Sequence, residues 1–297
     1  MFHQPQVYKD LVQNYIALKL LSFITSKVWF ITGSSRGLGL AITKAALESG
    51  DRVIATARKL DLLQPLVQQY GDKIFPVPLD VSNYDDVLKA VKAGHDKFGR
   101  IDVVVNNAGY ADISSIEDID INNFQSQMDV NFYGTVYVSK AVAPILRKQG
   151  SGHIFQVSSV GGRLATVGLG AYQSAKWAVG GFSGILSAEL APFGVKVTVL
   201  EPGGMPTDWA GTSMKILPIN DQYKSTVGAF ADLLRAHSGG GPSKPAKVAE
   251  IILKLIDAQD PPAKLLIGPD GWEYGTAATK ALSESDDKWK DLTFSSV

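Results

Sequence analysis

The chain has 297 residues, of which 45% are hydrophobic and 20% are charged, and these values are ordinary for a globular protein. Its 29 basic side chains balance its 29 acidic ones, so no net charge would draw it to nucleic acid or to anionic membranes. Cysteine is absent, which excludes disulfides, thiolate nucleophiles and cysteine-rich zinc sites, and the spacing of the four histidines indicates no metal site.

Residues 1–26 come before the first predicted strand and contain an apolar stretch from Tyr15 to Ile24. Lys19 interrupts this stretch and no small-residue cleavage site follows it, so it lacks the pattern of a signal peptide. It is also too short to span a membrane. We therefore predict a helical or poorly ordered N-terminal extension on a cytoplasmic protein, the alternative being a helix that binds a membrane surface or a partner.

From Lys27 onward, strand-like apolar runs alternate with helical patterns. Most of these runs are continuously apolar, which is typical of parallel strands that are buried on both faces. The alternation predicts an α/β fold of the Rossmann type, a doubly wound, seven-stranded parallel sheet with helices on both faces. The predicted strands are 28–32, 52–57, 74–79, 101–106, 153–157, 195–200 and 264–267, and the clearest helices are 38–48, 84–98, 119–149 and 171–191.

The third predicted strand contains Pro76 and Pro78, which cannot donate hydrogen bonds to a neighbouring strand. Such a strand belongs at the edge of a sheet. The strand order 3-2-1-4-5-6, which is common among dinucleotide-binding folds, places the third strand at an edge. The prolines therefore agree with the predicted topology.

The chain shows no internal repeat and no long linker, so we predict one catalytic domain over residues 27–270. The remaining residues, 271–297, are predicted as a C-terminal tail. This tail carries Trp272, Tyr274 and Trp289 among charged residues, which favours a role in covering the domain or in a subunit contact.

A glycine-rich turn follows the first strand directly, in the sequence Thr32-Gly33-Ser34-Ser35-Arg36-Gly37-Leu38-Gly39. Its glycines allow a tight turn and a close approach of the backbone to a pyrophosphate. The helix that begins here presents backbone N–H groups and the positive end of its dipole. Because the turn joins a buried strand to a helix, it predicts a dinucleotide-binding site rather than a turn that serves chain geometry alone.

The second strand indicates which dinucleotide is bound. An acidic side chain at its end would bind the ribose 2′-hydroxyl of NAD, whereas a basic one would accommodate the 2′-phosphate of NADP. Here the strand ends in Arg58-Lys59, and Arg36 in the glycine-rich turn adds a second guanidinium group suited to a phosphate. We therefore predict NADP(H) as the cofactor, the alternative being two arginines that only face solvent.

Tyr172 and Lys176 are one helical turn apart at the start of a predicted helix, so they share one helical face. In this arrangement the ammonium group of Lys176 would lower the pKa of the Tyr172 phenol, which is ordinarily about 10. The pair alone is a weak signal, because the same spacing is common on protein surfaces.

Several motifs occur in one order along the chain: the glycine-rich turn, Asn106-Asn107-Ala108-Gly109, Asn131, Ser159 and the Tyr172–Lys176 pair. In this order and spacing, the sequence resembles the classical short-chain dehydrogenase/reductases over about residues 27–270. The resemblance implies that Tyr172 exchanges a proton with the substrate oxygen and that Ser159 binds the same oxygen. Lys176 would hold the nicotinamide ribose. Asn131 would anchor a water that links Lys176 to solvent, unless it is only a buried structural amide.

The resemblance also implies a set of cofactor contacts. Asp80 would contact the adenine ring, Asn107 would steady the central strand, and Pro202-Gly203 would form the turn beside the nicotinamide. Thr207 would bind the carboxamide, unless it only caps a helix. The predicted cofactor-binding residues are Gly33, Ser35, Arg36, Gly37, Leu38, Gly39, Arg58, Asp80, Val81, Asn107, Ala108, Gly109, Tyr172, Lys176, Pro202, Gly203 and Thr207.

The substrate side is predicted to lie between residues 109–111, 160–169 and a lid over residues 204–245. The apolar residues of this lid favour a hydrophobic substrate, the alternative being that they form the lid's own core; they are Met205, Trp209, Met214, Ile216 and Leu217. Arg163 is a candidate partner for an acidic substrate, although it could equally face solvent. The predicted substrate contacts are Ser159, Tyr172, Met205 and Trp209.

Two hydroxyl groups that converge on one oxygen suit hydride transfer, because negative charge develops on that oxygen in the transition state. We therefore predict an NADP(H)-dependent reductase of ketones or aldehydes, acting on a hydrophobic small molecule. The alternatives are a non-catalytic NADP-binding regulator and an NAD-dependent alcohol dehydrogenase with a steroid- or retinol-like substrate. The resemblance further implies a homodimer or homotetramer.

Overall fold

The computed structural model describes residues 26–207, 214–236 and 240–297. The predicted extension, apart from Ser26, lies outside the described residues, as do Trp209 and part of the predicted lid. Within the described ranges, no helix is long and apolar enough to cross a membrane.

The strands are short and mostly buried, and each lies within two residues of its prediction at either end. They are β1 (Val28–Ile31), β2 (Arg52–Ala57), β3 (Ile74–Pro78), β4 (Val103–Asn106), β5 (Gly152–Val157), β6 (Val195–Pro202) and β7 (Lys264–Ile267). Every residue of β1, β2 and β4 is buried, which explains why their sequences are continuously apolar or nearly so.

The helices that separate and follow the strands are α1 (Gly37–Glu48), α2 (Gln64–Tyr70), α3 (Tyr84–Phe98), α4 (Ile121–Met128), α5 (Gly134–Gln149), α6 (Gly170–Leu190), α7 (Ala229–Ala236), α8 (Pro245–Ile256), α9 (Pro269–Lys288) and α10 (Lys290–Phe294). The bounds of α3 have a local cause. Asn83 caps its N-terminus by accepting a hydrogen bond from the backbone N–H of Asp86 at 3.1 Å, and Gly99 ends it in the left-handed conformation with φ 76°.

The predicted helix over 119–149 is wrong in its continuity. A π-helical turn over Asp129–Tyr133 separates α4 from α5. Such a turn inserts an extra residue into the helix and is frequent at functional sites, and here it contains the candidate residue Asn131. The predicted C-terminal tail is helical: α9 begins at Pro269, and Gly271 and Gly275 are buried, whereas residues 281–297 are exposed.

All the strands are parallel and form one seven-stranded sheet in the order β3-β2-β1-β4-β5-β6-β7. The predicted Rossmann-type order is therefore confirmed. β3 is an edge strand, as its prolines predict. Because the strands are parallel, their carboxyl ends lie along one edge of the sheet, where ligands bind in this class of fold.

Alternate residues of the strands pack under helices on opposite faces of the sheet. On one face, Ile31 and Val53 belong to a core cluster with residues of α1 and α8. On the other face, Phe30 and Ile54 belong to a cluster with residues of α3, α5 and α6. The sheet is thus covered on both sides, and only its carboxyl edge is left for a site.

His153 of β5 is a titratable group within this core. Its Nε2 lies 2.9 Å from Oγ1 of Thr198. The hydroxyl of Thr198 donates its own hydrogen bond to the carbonyl of Pro262 at 3.0 Å, so toward His153 it can only accept. Nε2 therefore carries the proton and donates it to Thr198. Burial, followed by the charge of Lys196, lowers the pKa of His153 to about 3.

We expect this histidine to make the protein less stable in acid. The unfolded chain binds a proton at a pKa of about 6.5 and the folded protein does not, so stability is lost as the pH falls below 6.5. His153 alone should remove about 2 kcal/mol from the free energy of unfolding between pH 7.5 and pH 5. Urea unfolding at both pH values should show this loss, and it should disappear in His153→Gln, which keeps a donor for Thr198. Equal losses in both proteins would contradict the assignment.

Candidate active site

The glycine-rich turn lies at the carboxyl end of β1, where its backbone requires glycine. Gly33 and Gly37 have φ values of 68° and 53°, which side-chain-bearing residues rarely adopt. A Cβ on Gly39 would overlap the carbonyl oxygen of Gly33. A Cβ on Gly37 would lie 3.7 Å from the side chain of Thr207 and would fill the space between the turn and the segment after β6.

The N-terminus of α1 opens onto this turn. Within the described residues no side chain caps it, and its first turn holds no acidic residue. The first N–H groups of a helix need an acceptor, and an anionic phosphate is a suitable one. The narrow glycine turn and the uncapped helix therefore fit the pyrophosphate of a dinucleotide. Leu38 turns its side chain into the core, so only its backbone faces this space.

Asn107 joins the ends of β1 and β4. Its Nδ2 donates to the carbonyl of Thr32 at 3.0 Å, while the hydroxyl of Thr32 accepts from the backbone N–H groups of Asn107 and Ala108 at 2.9 and 3.0 Å. These bonds hold the glycine-rich turn against the loop after β4. Gly109 comes next, and a Cβ there would lie 2.6 Å from Oδ1 of Asn131 and 3.6 Å from Nζ of Lys176.

The predicted adenosine-side residues lie at the carboxyl ends of β2 and β3. Arg36 and Arg58 are both exposed. Burial and the charge of Asp112 raise the pKa of Tyr110, which follows β4, and the charge of Arg58 opposes this rise. Asp80 is also exposed and accepts hydrogen bonds from the backbone and the hydroxyl of Ser82.

The nicotinamide-side residues follow β6. Gly203 donates its backbone N–H to Ile267 at 2.9 Å, and Gly204 donates to Oδ2 of Asp270 at 2.6 Å. A Cβ on Gly203 would overlap the carboxylate of Asp270, so this turn also requires glycine.

Val81, which follows β3, is packed under Gly134 at the start of α5.

Tyr172, Lys176 and Ser159 meet where α6 crosses the end of β5. Tyr172 and Lys176 are only 7% and 4% exposed. Nζ of Lys176 donates to the carbonyl of Val157 at 2.8 Å and lies 5.5 Å from the centre of the Tyr172 ring. The Ser159 side chain lies beside the Tyr172 phenol, whose pKa burial raises and this serine lowers. The structure therefore brings together three of the predicted catalytic residues.

The effect of Lys176 on Tyr172 stays a prediction, and in the protein by itself the pKa of Tyr172 is raised rather than lowered. Burial raises the pKa of Tyr172 to about 12, and the hydrogen bond from Ser159 offsets only part of this effect. Burial also lowers the pKa of Lys176 to about 8. Desolvation of a buried phenol disfavours its charged form more than the neighbouring ammonium favours it. The phenol of Tyr172 is therefore protonated at neutral pH.

The neighbouring serines face different ways. Ser159 has extended backbone and its Oγ accepts the N–H of Gly161 at 3.0 Å, which leaves the hydroxyl proton free to point toward Tyr172. Ser158 donates its hydroxyl to the backbone carbonyl of Lys176 at 3.2 Å and is buried. Ser158 therefore ties α6 to the loop after β5.

Asn131 is fully buried in the π-helical turn. Its Nδ2 donates to the carbonyls of Tyr110 and Gln127, both at 2.8 Å, and its Oδ1 accepts the N–H of Tyr110 at 3.2 Å. The side chain thus holds the loop after β4 in place beside Lys176. Its backbone carbonyl accepts a hydrogen bond from the hydroxyl of Thr135 at 3.3 Å.

An apolar group, here called the substrate-side cluster, surrounds Tyr172. Its buried members are Ala111, Ile113, Leu169, Tyr172, Val227 and Ala231, and Met214, Ile216, Ile219, Tyr223, Phe230 and Leu234 pack against them. The contribution of α7 and of the turn before it to this cluster was not among the predictions. Val227, Phe230, Ala231 and Leu234 follow the i, i+3, i+4, i+7 pattern of one helical face, which would have identified them.

Two predicted substrate-side residues lie elsewhere. Met205 packs against the core cluster of α1 and α8 rather than in the substrate-side cluster. Arg163 is bound to the buried Glu201 at the end of β6, with Nε 2.7 Å from Oε2. A guanidinium that neutralises a buried carboxylate is not available to an acidic substrate.

Comparisons with known proteins agree with this arrangement. The family model for short chain dehydrogenases matches residues 27–215. An oxidoreductase named BOA17 from Botryotinia fuckeliana is 59% identical over 273 residues, covering 92% of this chain and all of that protein. A short-chain dehydrogenase structure from Streptomyces avermitilis superposes with a TM-score of 0.87 at 31% identity, covering 92% of this chain and 99% of the other.

Related structures also contain nicotinamide cofactors. An alcohol dehydrogenase from Thermococcus sibiricus, solved with 5-hydroxy-NADP, has a TM-score of 0.66 at 30% identity and covers 81% of this chain and 96% of its own. Other structural neighbours were solved with NADP or with NADH. The glycine-rich turn, the order of the sheet and these matches together lead to one conclusion: the chain belongs to the short-chain dehydrogenase family of oxidoreductases.

Proposed function

We propose that this protein is an NADP(H)-dependent oxidoreductase that acts on a ketone, an aldehyde or the corresponding alcohol with an apolar body. The observation that carries the proposal is the pair of Ser159 and Tyr172, whose side chains lie next to each other at the end of β5. The pair adjoins the substrate-side cluster and lies at the same sheet edge as the glycine-rich turn. A carbonyl oxygen held there would meet two hydroxyl donors, with apolar walls around the rest of the molecule.

The cofactor would supply the hydride for the carbonyl carbon, or accept it from the alcohol. Tyr172 is protonated at neutral pH, since burial raises its pKa to about 12, and it donates its proton to the carbonyl oxygen. The hydroxyl of Ser159 donates to the same oxygen, so both groups stabilise the charge that develops there. Lys176 keeps further N–H donors besides the one that binds Val157, and these would hold the ribose hydroxyls.

The preference for NADP(H) is proposed from Arg36 and Arg58. Both are exposed beside the place where the adenosine ribose would lie, and the end of β2 offers no carboxylate for a 2′-hydroxyl. The apolar side chains around Tyr172 favour a hydrophobic substrate.

The test is the oxidation of NADPH, followed by the absorbance of the reduced nicotinamide, over a panel of apolar ketones and aldehydes, with NADH in parallel. We expect turnover that favours NADPH and rises with the apolar size of the carbonyl. Turnover that favours NADH would support an NAD-dependent alcohol dehydrogenase. Binding of NADPH with no turnover on any carbonyl would contradict the proposal and support an NADP-binding regulator.

A further inference from the structure

A closed ring of hydrogen bonds lies beside the substrate-side cluster. Nδ2 of Asn123 donates to Oδ2 of Asp112 at 2.8 Å, and Nε2 of Gln127 donates to Oδ1 of Asn123 at 2.9 Å. The backbone N–H of Asp112 closes the ring by donating to Oε1 of Gln127 at 3.1 Å. Asp112 is 5% exposed and Gln127 is fully buried. The ring thus fastens the loop after β4 to α4.

The second carboxylate oxygen of Asp112 reaches outside the ring. Oδ1 accepts the backbone N–H of Lys215 at 3.0 Å. The next residue, Ile113, donates its N–H to the carbonyl of Lys215 at 2.8 Å and accepts the N–H of Leu217 at 3.0 Å. These three bonds hold residues 214–217 against the loop. Ile216, in the middle of this segment, packs in the cluster around Tyr172.

The direction of every bond in the ring follows from the carboxylate. An ionised aspartate only accepts hydrogen bonds, so it requires the NH₂ group of Asn123 to face it. The oxygen of Asn123 must then face Gln127, whose own oxygen is left to accept the N–H of Asp112. The ring also adjoins the catalytic region, since the backbone carbonyl of Gln127 accepts from Asn131 at 2.8 Å.

We propose that Asp112 is a positioning residue that, through this ring, fixes residues 214–217 as a wall of the substrate site. It does not touch the substrate. The proposal rests on the proposed function only for its effect on turnover, because its effect on the order of residues 214–217 is independent of any reaction.

The test is a reciprocal exchange of Asp and Asn in the full-length protein. Asp112→Asn places an NH₂ group against either the NH₂ of Asn123 or the N–H of Lys215, so one bond must be lost. Asn123→Asp places two carboxylates in contact. The double variant Asp112→Asn/Asn123→Asp restores a partner for every donor and acceptor. The new amide at position 112 donates its NH₂ group to the new carboxylate at position 123, and its oxygen still accepts the backbone N–H of Lys215. Asp85→Asn, at an exposed position in the first turn of α3, is the matched control for loss of one carboxylate.

The first readout is hydrogen exchange at the amides of Lys215 and Leu217, measured with NADPH present and compared with the global stability of each variant. We expect exchange to accelerate about 10- to 100-fold in each single variant, because a hydrogen bond to a charged group is lost or weakened. The double variant should return toward the wild-type rate, and Asp85→Asn should not differ from wild type. The second readout is turnover of the best ketone, whose KM should rise in Asp112→Asn by more than kcat falls.

Unchanged exchange at Lys215 in a folded Asp112→Asn variant would overturn the proposal. So would a folded double variant that exchanges as fast as the single ones, because the direction of the ring would then not matter. If exchange behaves as expected but the wild-type protein turns over no carbonyl, the positioning role stands and the proposed function fails.

Discussion

Replacement of Tyr172 by phenylalanine should lower kcat for ketone reduction by about 10²- to 10⁴-fold, the usual contribution of a positioned acid. The variant keeps the ring and its packing but loses the proton that would go to the carbonyl oxygen. Because Tyr172 is 7% exposed, water has little access to replace that proton. Binding of NADPH, followed by its fluorescence, should change little.

The pH dependence gives a second check on Tyr172. Its pKa is raised to about 12, so the phenol is protonated throughout the neutral range and its ionisation should not limit reduction there. In the reverse direction the phenolate is needed, and alcohol oxidation should rise as the pH increases. Tyr84→Phe, on α3 outside the site, is the control and should keep full activity. Substantial reduction by Tyr172→Phe would show that another group supplies the proton.

Replacement of both Arg36 and Arg58 by serine should reverse the choice of cofactor. Each charge-assisted hydrogen bond to a phosphate contributes roughly 1.5–3 kcal/mol, which corresponds to a loss of about tenfold or more in kcat/KM with NADPH for each arginine. The value with NADH should change much less, because NADH has no 2′-phosphate to lose. Initial rates at a range of concentrations of each cofactor measure both effects.

Arg58→Asp should shift the preference toward NADH more strongly than the serine replacements do. A carboxylate at the end of β2 repels the 2′-phosphate of NADPH and can bind the 2′-hydroxyl of NADH. Arg147→Ser, in the last turn of α5, removes the same charge at the opposite edge of the sheet and should leave both values unchanged. If the double serine variant loses activity equally with NADPH and with NADH, Arg36 and Arg58 do not bind the 2′-phosphate.

Local patterns in the sequence were sufficient to predict the architecture and to indicate the candidate catalytic residues. Continuous apolar runs predicted the buried parallel strands, and Pro76 and Pro78 predicted the edge position of β3, because each depends on only a few neighbouring residues. The glycine-rich turn and the Tyr172–Lys176 pair are local for the same reason. The helical face formed by Val227, Ala231 and Leu234 was equally local and could have been predicted.

The electrostatic and packing properties of the site depended on contacts between distant residues. Tyr172 has a raised pKa because elements from the whole chain exclude water from it, and no spacing along α6 records that burial. Arg163 is bound by Glu201, which lies in β6, 38 residues later in the chain. Asp112 binds Lys215 across 103 residues. Such pairings form only when the sheet brings the ends of its strands together, so the sequence indicated the candidate catalytic residues and the tertiary structure decided their burial, their partners and the residues around them.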